Sequence, residues 1–192
     1  MNPAFDARDF RDAVGWFATG VTVITARGSD GVLYGVTANS FASVSLDPPL
    51  VLWSLDKRSP SSAGFAAADH FAVNVLAQDQ QGLSARFATT GPDKWRDIAH
   101  ESWETGSPIL PGSLASLDCR VEAKHEGGDH VIFIGRVLRL ESRRHGQPLL
   151  FSRGSYRALG ERLGVAGETP GERGQEGIEA PELAGLEPWF SA

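Results

Sequence analysis

With one cysteine in 192 residues, the chain can form no internal disulfide and no multi-cysteine metal site. That residue, Cys119, sits in the alternating run SLDCRVEA, where a small buried side chain is expected rather than a reactive thiol. No apolar run approaches the roughly 20 residues that span a bilayer. The amino-terminal MNPAFDARDFRD lacks the charged-then-apolar order of a secretion signal, so residence in the cytoplasm is expected. Positive charge is scarce too: 18 Lys and Arg stand against 24 Asp and Glu, a net charge of -6. No basic stripe supplies the clustered cations that nucleic acid requires. Neither a G-x-G-x-x-G after a strand, nor an internal repeat, nor a catalytic triad or carboxylate pair is apparent.

What is present suffices for one good core, since 41% of the residues are hydrophobic and a second independent domain would be cramped. Charge divides the chain unevenly. Residues 161–192 hold seven Glu and two Arg, which leaves residues 1–160 close to neutral. The reading is a single domain over residues 1–160 followed by a Gly/Glu/Pro-rich acidic tail over 161–192, a composition that builds no core of its own. The tail closes on Pro188, Trp189 and Phe190, apolar enough to dock on a partner or on the body.

Phe10, Ala13, Val14 and Phe17 recur at spacings of three and four, and with Asp6 as cap they predict a helix over residues 6–17 packed by one face. Residues 20–27 alternate and pass through the turn GSDG into a second strand over 32–37, a hairpin signal. A nearly continuous apolar strand follows over 49–55, as expected where both faces are covered. Ser59 as cap and Pro60 at the first helical position predict a short helix over 59–69. Residues 70–77 alternate as a strand, and Leu83 and Phe87 lie at helical spacing within 78–88. An irregular stretch over 91–111 reads as loop. Two long strands over 114–125 and 131–142 are joined through EGGDH, and a last strand over 147–151 closes the sheet. Strands interrupted by short helices at irregular intervals fit a mainly antiparallel barrel with peripheral helices rather than a doubly wound sheet.

The richest segment is GVTANSFASVSLDPPLVLWSLD, residues 35–56, where small and hydroxylated residues crowd a turn between two strands. Such a surface lets a flat polar ring or a phosphate approach the main chain, and suggests a nucleotide-type cofactor. An ordinary polar turn is the alternative reading from composition alone.

This segment continues to Ser61 as GVTANSFASVSLDPPLVLWSLDKRSPS and belongs to an ordered set of blocks. They are FATGVTVIT, FAVNVLA, LSARFA, GSPILPGSLASLDCRV, GGDHVIFIGRV and PLLFSRGSY. In that order the chain resembles the short-chain flavin reductases, the NAD(P)H:flavin oxidoreductases that supply reduced flavin to two-component monooxygenases. The resemblance spans residues 10–160 and does not reach the tail. It implies a split β-barrel of the FMN-binding type, mainly β with peripheral helices, that forms a homodimer with FMN or FAD at the subunit interface. It further implies NADH or NADPH as hydride donor and a flavin-dependent oxygenase as partner. A flavin-binding electron carrier or storage protein without nicotinamide turnover is the alternative, because one fold hosts both uses.

By this resemblance Thr37, Ala38, Asn39 and Ser40 contact the flavin, with Ser54, Leu55, Lys57 and Ser59 continuing the contact from the next strand end. Flavin phosphates call for cations, and Lys57, Arg58, Arg86 and Lys94 lie in or beside the matched blocks. Arg86 and Ser84 are the preferred phosphate contacts, with Phe87 beside them. Asn74, between apolar neighbours, needs hydrogen-bond partners that a flavin edge could supply; Val75 and Leu76 adjoin it, with plain core as their other reading. His130, at the head of a strand in GGDH, is expected to orient the nicotinamide or balance charge on reduced flavin. Phe151, Ser152, Arg153, Gly154 and Tyr156 are expected to adjoin the pyridine nucleotide, Gly154 by permitting close backbone approach and the two aromatics by stacking. No metal is expected.

Overall fold

A computed structural model describes residues 4–161. The acidic tail and its Pro188–Trp189–Phe190 end lie outside the described residues. In chain order the elements are α1 (Ala7–Val14), β1 (Thr19–Gly20), β2 (Thr22–Arg27), β3 (Leu33–Ala38), β4 (Ala42–Leu46), β5 (Pro49–Asp56), α2 (Ser62–Ala67), β6 (His70–Val75) and α3 (Gln81–Ala88). They continue with β7 (Glu101–Ser102), β8 (Pro108–Ile109), β9 (Ala115–Gly127), β10 (His130–Ser142), β11 (Leu150–Ser152) and β12 (Ser155–Arg157). Single 3₁₀ turns precede α3 and follow it.

One seven-stranded sheet, ordered β3-β2-β6-β9-β10-β5-β4, carries the architecture, and its ladders are antiparallel throughout. The sheet is open: β3 and β4 are its outer strands, with no ladder between them among the described residues. Its longest unit is the β9–β10 hairpin, 13 residues a side, reversed at Gly128 and Asp129. Gly128 has φ +69, a conformation that side chains resist. A smaller sheet, β1-β11-β12, brings the end of the domain beside α1.

Both faces of β2 are covered, and so the strand is buried along most of its length. Ile24 and Ala26 join one core cluster with Trp53, Phe65, Phe71 and Phe133, while Val21 and Val23 join another with Leu76, Phe87, Leu110 and Leu149. Trp53 stacks on Phe133 at 4.6 Å and meets Phe65 edge-on at 5.0 Å, geometries that aromatic quadrupoles favour. Gly135 lets Phe71 cross the sheet, since a Cβ there would lie 2.3 Å from the Phe71 ring. Cys119 is fully buried in the first cluster, and burial pushes its thiol up to about 12, which leaves it unreactive.

Three polar residues of β2 and β6 are satisfied internally. Thr22 donates to the Ala38 carbonyl at 2.7 Å and Thr25 to the Pro108 carbonyl at 2.5 Å. Asn74, expected to need a ligand, has its partners within the fold: it donates to the Val23 carbonyl and accepts from the Leu110 amide at 2.8 Å and from the Ser116 hydroxyl.

Two expectations require correction. Asp6 caps α1 through a capping box with Asp9, yet the helix is shorter than expected and buries none of its residues. Phe10, Val14, Trp16 and Phe17 are more than half exposed. The short helix after β5 begins at Ser62 rather than at Ser59, whose hydroxyl instead accepts from the Ser61 amide.

Candidate active site

The carboxyl ends of β3 and β5 converge on the same side of the sheet as the end of α3, and a pocket of about 450 Å³ opens between them. Thr37, Ala38, Asn39 and Ser40 form one wall; Ser54, Leu55 and Asp56 form the facing one. Ser40 ties these walls together, donating to the Ser54 carbonyl at 3.2 Å and accepting from the Ser54 amide at 2.9 Å. Thr37 reaches the other way, to the Ser84 carbonyl of α3 at 2.6 Å. Most of the lining is therefore main chain and short hydroxyls, with Phe87 and Leu55 as apolar surface.

Charge collects at the rim. Arg58, Lys94 and Asp56 supply it, and His130, Ser59, Thr89 and Thr90 add hydrogen-bonding groups beside them. Arg58 pairs with Asp56 at 2.8 Å, and this guanidinium holds the Asp56 carboxyl down at about 2. Lys94 donates to the Phe87 and Gly35 carbonyls, and burial draws its ammonium below the usual lysine range. A small-residue cradle with a flat apolar side and cations at one edge fits a phosphorylated flavin.

His130 opens β10 directly opposite Asp56 in the β5 ladder. Its Nδ1 lies 2.7 Å from the Asp129 carboxylate, and the imidazole holds that carboxyl below the usual range. An anionic acceptor at Nδ1 favours a proton there and leaves Nε2 outside that contact. The turn that carries the pair is latched by Lys57, which donates to the Gly128 carbonyl at 2.7 Å and pairs with Glu126.

A second cleft of about 600 Å³ runs between α1 and the β11–β12 turn. Phe151, Ser152, Arg153 and Gly154 line it, with Arg8, Arg11 and Phe17 across from them. The turn is pinned to the end of α1: the Arg153 amide donates to the Gly15 carbonyl at 2.9 Å and the Ser152 hydroxyl to the same oxygen at 3.2 Å. Arg153 has φ +50 and lays its guanidinium over the Trp16 ring at 4.1 Å. Asn39 lines both clefts.

Several expected contacts are not brought to either cleft. Asn74 and Leu76 are fully buried and Val75 packs on the core. Ser84 is fully buried against the Tyr156 hydroxyl at 2.8 Å. Arg86 turns away from the pocket and donates to the carbonyls of Asp93, Lys94 and Arg96, so it shapes the loop that presents Lys94 instead of meeting a phosphate. Lys57 serves the β9–β10 turn, and its neighbour Arg58 takes the place at the rim. Tyr156 stands behind Phe151, outside both clefts. Sequence reasoning missed Asp129, Thr89, Thr90, Arg8 and Arg11. The carboxylate next to His130 was the one with a local signal.

Fold and clefts point to a class, β-sheet domains with adjoining nucleotide-sized pockets at their strand ends. Residues 14–160 match the model of the flavin reductase like domain, and the chain belongs to that family. It is 50% identical over 151 residues to FMN reductase (NADH) SmoA of Agrobacterium fabrum, covering 79% of this chain and 85% of that protein. It is 48% identical over 156 residues to HsaB of Rhodococcus jostii, a reductase subunit of a flavin-dependent monooxygenase, covering 81% and 80%. Among solved structures, the NADH:FAD oxidoreductase SgcE6 of Streptomyces globisporus superposes with a TM-score of 0.78 at 36% identity, covering 84% of this chain and 98% of that one.

Proposed function

We propose that this protein is an NADH-dependent flavin reductase that passes reduced FMN or FAD to a separate monooxygenase. The observation that carries the reading is the shared wall at Asn39: a ring-sized pocket and a cationic cleft meet at one residue, as transfer between two bound nucleotides requires. Thr37 to Ser40, Ser54 and Leu55 would hold a flavin in the first pocket, where the bound ring would supply the acceptor for a hydride, two electrons with one proton, given by a dihydronicotinamide that is thereby oxidised to the pyridinium.

The chain's own residues bind and orient. Thr37 to Ser40 hold the ring edge through main chain and hydroxyls, and Ser54 and Leu55 back its other side. Lys94, Arg58 and Ser59 face its phosphate. His130, with Asp129 fixing its Nδ1 proton, presents Nε2 to the nicotinamide amide or to the reduced ring. Phe151 to Gly154 seat the nicotinamide, and Arg153 offers its guanidinium to the dinucleotide phosphates.

The full fold is a split barrel over residues 1–160, cytoplasmic and homodimeric. Support for the dimer comes from α1, whose Phe10 and Val14, with Trp16 and Phe17 just beyond, form an apolar surface that the described residues leave more than half exposed. No helix among the described residues is long and apolar enough to cross a membrane. The acidic tail serves contact with the oxygenase. Anaerobic mixing of purified protein with NADH or NADPH and either flavin tests the activity by loss of flavin absorbance. Absence of bleaching in all four combinations refutes it.

A further inference from the structure

Ser84 and Tyr156 lie outside both clefts, yet they join the walls of the two. The Ser84 carbonyl accepts the Thr37 hydroxyl at 2.6 Å, and the Ser84 hydroxyl meets that of Tyr156 at 2.8 Å. Thr37 is a wall of the first pocket. Tyr156 is the cross-strand partner of Phe151 and packs edge-on against it at 5.6 Å, and Phe151 is a wall of the second cleft. Helix α3 thus works as a strut, tied to both walls through its one residue Ser84.

The strut has little slack. Phe87, one turn beyond Ser84, fits against β3 so closely that a Cβ on Gly35 would lie 2.4 Å from its ring. Close packing of this kind passes a displacement on to its neighbours. Arg86 and Lys94 fasten the carboxyl end of α3 to the following loop and to β3. Against the small sheet α3 packs through Leu83 and Phe87, which share a core cluster with Phe151 and Tyr156, and the polar tie across that contact is the Ser84–Tyr156 hydrogen bond.

Resting on the reductase reading above, we infer that Ser84 and Tyr156 are positioning residues, whose hydrogen bond sets the separation of the two clefts without touching either nucleotide. Hydride transfer requires reacting atoms about 3–3.5 Å apart, and misplacement by about 1 Å costs on the order of 100-fold in rate. A link between walls therefore acts on the transfer step rather than on affinity for either partner.

The test uses the full chain with FMN and NADH in three variants, Tyr156→Phe, Ser84→Ala and the double. Each single variant lowers the anaerobic single-turnover rate roughly tenfold, while the flavin Kd from fluorescence quenching and the KM for NADH stay within about twofold. The long-wavelength absorbance formed by flavin-loaded protein with a non-oxidisable dihydronicotinamide analogue weakens in parallel, a readout that needs no turnover. In the double variant the rate falls no further, because both changes cut one link. Its Tm returns toward wild type, since no hydroxyl is left without its partner. Wild-type turnover with unchanged variant rates overturns the inference alone. A rate that recovers with Tm, or losses that appear in Kd or KM instead, also overturns it. Wild-type protein that bleaches no flavin sinks the reductase reading and the inference with it.

Discussion

The two clefts of this molecule are made from different materials. The first is cut into the main sheet, where β3 and β5 hold their backbone through antiparallel ladders, and its lining is short side chains and main chain. The second lies against a helix with no buried residue, and its turn is anchored to the end of that helix by two hydrogen bonds on the Gly15 carbonyl. Ladders fix a surface to a fraction of an ångström, which suits a rigid ring. Long guanidinium side chains on a lightly held support adapt, which suits a flexible dinucleotide. Precision and accommodation are thus separated in space, with Asn39 at the boundary.

The contrast can be broken most severely from the sheet side. Gly35→Val drives a methyl group into the Phe87 ring, so stability falls by about 1–3 kcal/mol in urea melts and flavin affinity, read by fluorescence, falls by roughly tenfold or more. If both survive, the sheet-side cleft is softer than its ladders imply. Next in size, His130→Ala lowers the hydride-transfer rate by roughly 10- to 100-fold in stopped flow, and Asp129→Asn lowers it by less, since the imidazole remains but its Nδ1 partner is no longer charged. On the adaptable side, Arg153→Gly keeps the φ +50 turn and removes the guanidinium. The KM for NADH rises about tenfold with kcat nearly constant, and the melt shifts by no more than about 0.5 kcal/mol.

The smallest effect is acidic. The Asp56 carboxyl is held at about 2 by Arg58, below the ordinary aspartate value of 3.8. Its stabilisation is therefore complete above that ordinary value and is lost as pH falls through about 2. Wild type and Asp56→Asn should differ by a constant margin from neutrality down to about pH 4 and converge toward pH 2. Arg58 is largely exposed and Asp56 only half-buried, so solvent screens the pair and acid denaturation curves will show a small gap.

The hairpins were legible because turn chemistry and alternation agreed: GSDG between β2 and β3, and the glycine pair before Asp129. Strand β4 was missed, since Ala42–Leu46 is an outer strand rich in serine and mostly exposed, leaving little apolar alternation to read. Helix α1 announced itself through Asp6 and its spacing. Its surroundings did not, because an apolar stripe says that a face wants cover and not where the cover comes from. At the site, the turn Thr37 to Ser40 was legible from its small and hydroxylated residues, Ser54 and His130 came only with the family resemblance, and all of them line the first pocket. Asn74, read as needing partners inside an apolar run, and Ser84 and Arg86, chosen as phosphate contacts, each find partners within the fold. A polar group in an apolar run must find a partner, and the identity of that partner, carbonyl or ligand, is settled by elements distant in sequence.

Asn39 belongs to two surfaces at once, and this limits how the protein can change. With the two clefts assigned to the two nucleotides as proposed above, a substitution there that improves one seat alters the other, so selection for a new reductant and selection for a new dye compete at a single codon. Laboratory evolution toward a different pyridine donor should accumulate its changes along α1 and the β11–β12 turn, and leave this position alone.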